Sequence, residues 1–219
     1  MIIEMLLSGF LFLFILVINL IMASFGYKME KEEYDPDTDL KKINNNPKKF
    51  KTGIVLAVIE HSSVIALTAL LFITFSSYNI ILGIIWLIFR TAEGLIQLIN
   101  EPNYWKLLKI AKQYSTSSNE KESLSNKAKS IFKTKDQRFK IAMICWSIGT
   151  SAFSIVLVLS GIVPAIIGWL GIVASILVGF TTSIKLAKPK SKDFTAAGGL
   201  LAILFEVIIG IALIYYSII

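Results

Sequence analysis

Six stretches of this chain are almost unbroken runs of Ile, Leu, Val, Phe, Ala and Gly, and polar blocks separate them. They cover about residues 2–25, 53–76, 79–100, 138–160, 162–186 and 195–219. At 1.5 Å per residue, a helix of ~20 residues crosses the ~30 Å hydrocarbon core of a bilayer. The pattern therefore predicts an all-α polytopic bundle of six transmembrane helices, one integral membrane domain over residues 1–219. The second and third spans are joined by Ser76-Ser77-Tyr78-Asn79. The fourth and fifth meet at Ser160-Gly161-Ile162-Val163-Pro164, where proline suits the first turn of a new helix. Links this short force antiparallel helical hairpins, because unsatisfied backbone cannot face lipid. The first run has no basic n-region and exceeds a signal peptide's apolar core, so it is expected to be a retained helix. No internal repeat points to an inverted-repeat transporter.

Composition sharpens the picture. The 219 residues are 55% hydrophobic and only 17% charged, against about 25% charged in soluble domains; mean hydropathy is +0.70. A net charge of +7 would suit nucleic acid if it were spread over a surface. Here the basic residues flank apolar spans, and no nucleic-acid partner is expected. Residues 26–52 hold seven lysines, residues 101–140 hold ten Lys or Arg, and Lys185, Lys188, Lys190 and Lys192 surround the last loop. The two short links and both chain ends hold none; Arg138, Lys140 and Lys185 lie at span ends, and Arg90 alone falls deep inside a span. The positive-inside rule then places loops 26–52, 101–137 and 187–194 in the cytoplasm of a multi-pass cell-membrane protein, with both termini outside.

The single cysteine, Cys145, excludes an internal disulfide, and the single histidine, His61, excludes the usual multi-histidine zinc and copper sites. No metal and no cofactor are expected. Asp35, Asp37 and Asp39 lack the glycine and distal glutamate of a calcium loop, so they read as a solvated charge run with Glu30, Glu32 and Glu33. In the third loop, Tyr104, Leu107, Leu108, Ala111 and Tyr114 recur at helical spacing beside Trp105, while Lys106, Lys109 and Lys112 follow on another face. This predicts a basic amphipathic helix in the headgroup layer, with anionic lipid headgroups as its partner. Residues 115–136 are expected to be a polar connector with a short helix around Leu124, Ala128 and Ile131.

The informative residues are those that lipid should exclude: Glu60 and His61 in the second span, Arg90, Glu93 and Gln97 in the third, and Glu206 in the sixth. Each charge at the bilayer centre costs about 2.5–3.5 kcal/mol on insertion scales. They must be paired, neutralised or wetted inside the bundle. Trp86, Arg90, Glu93, Gln97 and Asn100 are spaced by four, three, four and three residues and share one face. Arg90 can pair with Glu93, and Glu206 or Glu60 can supply a second carboxylate. With three carboxylates for one arginine, at least one lacks a fixed cation. Such a network either locks helices in register or forms a proton or ligand site. His61 beside Glu60 reads as a hydrogen-bonded helix residue rather than a metal ligand. Ser147, Thr150, Ser151 and Ser154 line one side of the fourth span. Gly171, Ser175 and Gly179 in the fifth allow close helix packing, within the bundle or at a seam with a second copy or a membrane partner.

Three stretches resemble domain-of-unknown-function family 4386, small bacterial and archaeal membrane proteins with about six helices. Leu87-Ile-Phe-Arg-Thr-Ala-Glu-Gly94 is similar to that family's Arg-x-x-Glu-Gly signature. Ser160-Gly-Ile-Val-Pro-Ala-Ile-Ile-Gly-Trp-Leu-Gly171 and Leu204-Phe-Glu-Val-Ile-Ile-Gly210 resemble its fourth loop and final helix. The resemblance implies that Arg90, Glu93 and Glu206 belong to a family pattern, and it implies no activity. Ala165 follows Pro164 where family members often carry arginine, which implies the reverse orientation in the membrane. Three function classes follow: a transporter-like or small-ligand-binding protein centred on the Arg/Glu cluster; a structural or regulatory subunit; and, with least support, an intramembrane lipid-modifying enzyme using Glu60 and His61.

Overall fold

The computed structural model of the protein describes residues 2–25, 27, 35–117, 119–188 and 195–219. Glu30, Glu32, Glu33, Lys190 and Lys192 lie outside the described residues. All regular structure among the described residues is helical: α1 (Ile2–Ser24), α2 (Pro36–Asn45), α3 (Pro47–Phe75), α4 (Ile80–Leu98), α5 (Glu101–Thr116), α6 (Lys121–Ser160), α7 (Ala165–Ala187) and α8 (Thr195–Ile218). Six helices are long and apolar enough to cross a membrane: α1, α3, α4 continued by α5, α6, α7 and α8.

Local chemistry sets the ends. The Asn46 side chain accepts from Lys49 N (3.1 Å) and Pro47 opens α3; Asn79 accepts from Leu82 N (3.1 Å) to start α4. Each cap satisfies an amide that the first turn leaves open. Gly161 ends α6 at φ 66°, a left-handed conformation that costs glycine nothing. Pro164 then stands as the cap just before α7.

The spans form a closed ring in chain order, α1 on α3, α3 on α4, α4 on α6, α6 on α7, α7 on α8, and α8 back on α1. Their outer stripes are apolar and exposed, as with Ile166, Trp169, Val173, Ile176 and Phe180 on α7. A helix apolar on its outer face as well as its inner one belongs in lipid. Small residues draw the helices together on the inside. Gly171 lies against Ser154 and Phe205, and Gly179 against Ser147. Ser147 donates to the Ser175 carbonyl (2.6 Å), and the Ser151 and Ser175 hydroxyls are 2.7 Å apart. The Gly171/Ser175/Gly179 face is thus filled by α6 within the chain, and a second copy seated there would have to displace that helix.

Two apolar cores stack along the ring. The first, at the lysine-free end, holds Phe12, Leu71, Phe75, Trp86, Phe153, Leu157 and Phe205. The second lies at the lysine-rich end, here the basic end, and holds Tyr27, Leu40, Phe50, Tyr104, Leu107, Ala111, Leu124, Ala128 and Phe132. The acidic run is solvated, with Asp35 and Asp37 exposed, and it also starts a helix: the Asp35 side chain accepts from Thr38 N (3.3 Å), and Asp37 and Asp39 follow in the first turn of α2, where acidic groups meet the positive end of the helix dipole. The second core corrects two expectations. The amphipathic helix forms as α5, yet Tyr104, Leu107, Ala111 and Tyr114 are buried on α2, α3 and α6 rather than in headgroups. Trp105, Lys106, Lys109 and Lys112 remain exposed. The polar connector is instead the first half of α6, because Leu124, Ala128, Phe132 and Lys135 make one stripe that packs on this core. At 40 residues, α6 is about 60 Å long, roughly twice the hydrocarbon thickness.

Candidate functional site

A cavity of about 240 Å³ lies inside the ring, and every span contributes to its wall. α1 brings Asn19, α3 Glu60, α4 Arg90, Glu93 and Gln97, α6 Trp146, α7 Thr181 and Thr182, and α8 Glu206. The i, i+3 and i+4 spacing along α4 aims its three polar side chains the same way. Arg90 Nη1 donates to Glu93 Oε2 at 2.5 Å, and the guanidinium lies 5.2 Å over the Trp86 ring and 6.0 Å from that of Trp146. Trp146 Nε1 donates to Glu206 Oε1 (3.1 Å), joining α6 to α8. Asn19 Nδ2 donates to Glu60 Oε1 (3.4 Å), joining α1 to α3.

Room for the arginine comes from Gly149 on α6. A Cβ there would stand 2.8 Å from Arg90 Cγ, closer than packed carbons approach. The pairing still leaves polar atoms unmatched. Arg90 Nε, Gln97 Oε1 and Asn19 Oδ1 are buried without a hydrogen-bond partner, and all three residues line the cavity. An unmatched buried polar group costs about 1–3 kcal/mol. A donor and two acceptors around one void are therefore set for a polar occupant.

The cavity is closed at one end and polar at the other. Toward the lysine-free end Phe75, Trp86, Phe153 and Phe205 seal the ring; Phe75 and Phe153 pack edge-on at 5.4 Å, and Trp86 Nε1 is held by the Thr68 carbonyl (3.1 Å). Toward the basic end its wall includes Lys140 and Lys185. Lys140 is paired with Asp136 at 2.7 Å.

Glu60, Arg90, Glu93, Gln97 and Glu206 thus converge on one cavity, and His61 does not. It turns away from the cavity into a second buried cluster, its Nδ1 against Glu60 and its Nε2 3.7 Å from Glu101 Oε1. Tyr27 OH donates to that same oxygen. Lys135 Nζ lies 4.0 Å from it and over the rings of Tyr27 (3.5 Å) and Tyr104 (3.7 Å). Burial, and then Glu101 beside it, push the Tyr27 phenol well above its ordinary 10.0.

Sequence reasoning passed over Asn19, Trp146, Thr181, Thr182 and Lys185 on the cavity, and Tyr27, Glu101 and Lys135 beside it. Two signals were there to use. Glu101 falls four residues after Gln97, on the face already carrying Arg90 and Glu93. Lys135 falls three after Phe132 and seven after Ala128, on an apolar stripe. The rest carry no local signal.

A ring of six apolar helices around a charged cavity is the architecture of a polytopic helical membrane protein. The chain belongs to the family described as Domain of unknown function (DUF4386), whose model matches residues 7–216. That match extends the three-motif resemblance over nearly the whole chain. Nothing among curated proteins and nothing among solved structures matches it.

Proposed function

We propose that the protein binds a small ligand in the central cavity and works as a transporter-like membrane protein, with the basic end facing the cytoplasm. The observation that carries this reading is the set of unmatched buried polar atoms on Arg90, Gln97 and Asn19 around one void built by all six spans. A network that served only as glue would pair groups between helices and leave no space beside them. Here Arg90 is paired on its own helix, with Glu93 three residues on, and holds no other helix by an ion pair among the described residues. The lipid-enzyme reading loses support because His61 turns from the cavity toward Glu101.

In this reading Arg90 fixes Glu93 and keeps one donor for the occupant. The aromatic seal of Phe75, Trp86, Phe153 and Phe205 keeps the other side closed. The test is a thermal-shift screen of small molecules on the protein in nanodiscs. A ligand at a hundred times its Kd stabilises the folded state by about 2.7 kcal/mol, a shift well above noise. Arg90→Leu combined with Glu93→Gln, which leaves no unpaired charge, is expected to fold and lose the response. A double variant that keeps the full wild-type response to every hit sinks the proposal.

A further inference from the structure

Not every charge in the cavity is open to a ligand. The ionisable groups sharing it with Glu206 are Glu60 from α3, Arg90 and Glu93 from α4, Lys140 from α6 and Lys185 from α7; α1 brings only Asn19. Arg90 and Glu93 neutralise each other, and Lys140 is matched by Asp136. Lys185 has an interaction of its own. Glu60 is engaged by His61 and Asn19. Glu206 differs: among the described residues its one hydrogen bond comes from the neutral indole of Trp146, and it is only partly buried.

Position separates Glu206 from the lysines. Lys140 is six residues before Trp146, the partner of Glu206, on α6. On α7 Gly171 lies against Phe205, and Lys185 is fourteen residues further on. At 1.5 Å per residue the two lysines sit about 9 and about 21 Å nearer the basic end. Around the level of Glu206 the wall is apolar and aromatic: Met143, Trp146 and Ile203. A carboxylate whose one hydrogen bond comes from an indole, set among apolar walls, recognises a cation that carries hydrophobic bulk. An anion would meet Glu206 and Glu60, and Arg90, paired with Glu93 through Nη1, has only its Nε left to offer.

We infer that the ligand of this cavity is an amphipathic organic cation of one positive charge, its charged head against Glu206 and its apolar part against Trp146 and Met143. This rests on the proposal that the cavity binds a small ligand, and it names the class.

The experiment is isothermal titration calorimetry on the full chain in nanodiscs, with benzyltrimethylammonium as cation and phenylacetate as anion of like size. The cation is expected to bind with a measurable enthalpy, and the anion not to bind. Glu206→Gln keeps an oxygen for Trp146, so it is expected to fold and to weaken the cation by roughly a hundredfold. Glu206→Asp should recover part of the affinity. Binding of phenylacetate that depends on Arg90 overturns the cation class and leaves the cavity proposal standing. Cation binding unchanged in Glu206→Gln, or no binding of the cation at all, overturns the inference, while the thermal-shift screen still judges the cavity.

Discussion

At the scale of single residues, the cavity depends on what stands behind Arg90. Gly149 lets α6 pass over the arginine stem, and a side chain there must push either the stem or the helix. Gly149→Val is expected to destabilise the protein by about 1–3 kcal/mol, as overpacking does, and to shift the emission of Trp86 and Trp146, whose rings bracket the guanidinium. An unchanged spectrum and melting temperature would show that the stem moves freely. Tyr27 supplies a second test, in pH. Its folded phenol holds a proton more tightly than the unfolded chain does, because burial and Glu101 disfavour the anion. The stability it contributes is whole below about pH 10 and is lost as pH rises through the raised folded value. Wild-type melting temperature should therefore fall more steeply above pH 10 than that of Tyr27→Phe. Equal slopes would place the phenol's titration elsewhere. The α4 face bearing Arg90, Glu93 and Gln97 was legible in the sequence, because helical spacing decides which side chains share a side. That Trp146 meets Glu206 was not, since spacing within one helix says nothing of which face of another opposes it.

At the scale of elements, the membrane spans and the helix α5 were legible, while α2 and the first half of α6 were not. Apolar runs announce a bilayer crossing by length alone, whereas α2, α5 and the first half of α6 announce themselves only by spacing within charged sequence. Residues 115–136 look like a connector because Lys, Ser, Asn and Glu dominate them. Leu124, Ala128 and Phe132 nevertheless carry α6 through on one buried stripe, and Leu107, Ala111 and Tyr114 of α5 receive it. The amides of α6 from 124 to 137 are accordingly expected to resist hydrogen exchange nearly as well as those of its apolar half, while flexible-connector behaviour would give exchange within seconds. Ala128→Glu puts an unpaired charge into this core. It should unfold the basic-end layer, opening that exchange, while α7 and α8 stay protected. Loss of protection everywhere at once would instead make the two cores one cooperative unit.

At the scale of the whole molecule, the ring has a direction. Aromatic rings pack at one end, and the cavity wall runs to lysines at the other, so access is expected from the lysine-rich end. Nothing in the apolar runs announces this, because a run of Ile and Leu reads alike at both ends. The asymmetry comes from the large rings of Phe75, Trp86, Phe153 and Phe205 meeting at one level, which requires knowing the ring order of the helices. Access and orientation are tested together. With Cys145 changed to Ala the chain has no other thiol, and Thr182→Cys then places one on the cavity wall. A membrane-impermeant thiol reagent is expected to label it in inside-out vesicles and not in right-side-out ones. Benzyltrimethylammonium should slow the labelling, because the probe and the reagent would share one cavity. A second single cysteine at Leu71, inside the closed core, should stay unlabelled from both sides. Labelling of Thr182→Cys only from right-side-out vesicles would turn the molecule over, with the lysine-rich loops outside. Labelling of Leu71→Cys would mean that the aromatic seal opens, as a transporter's far gate must at some point in its cycle.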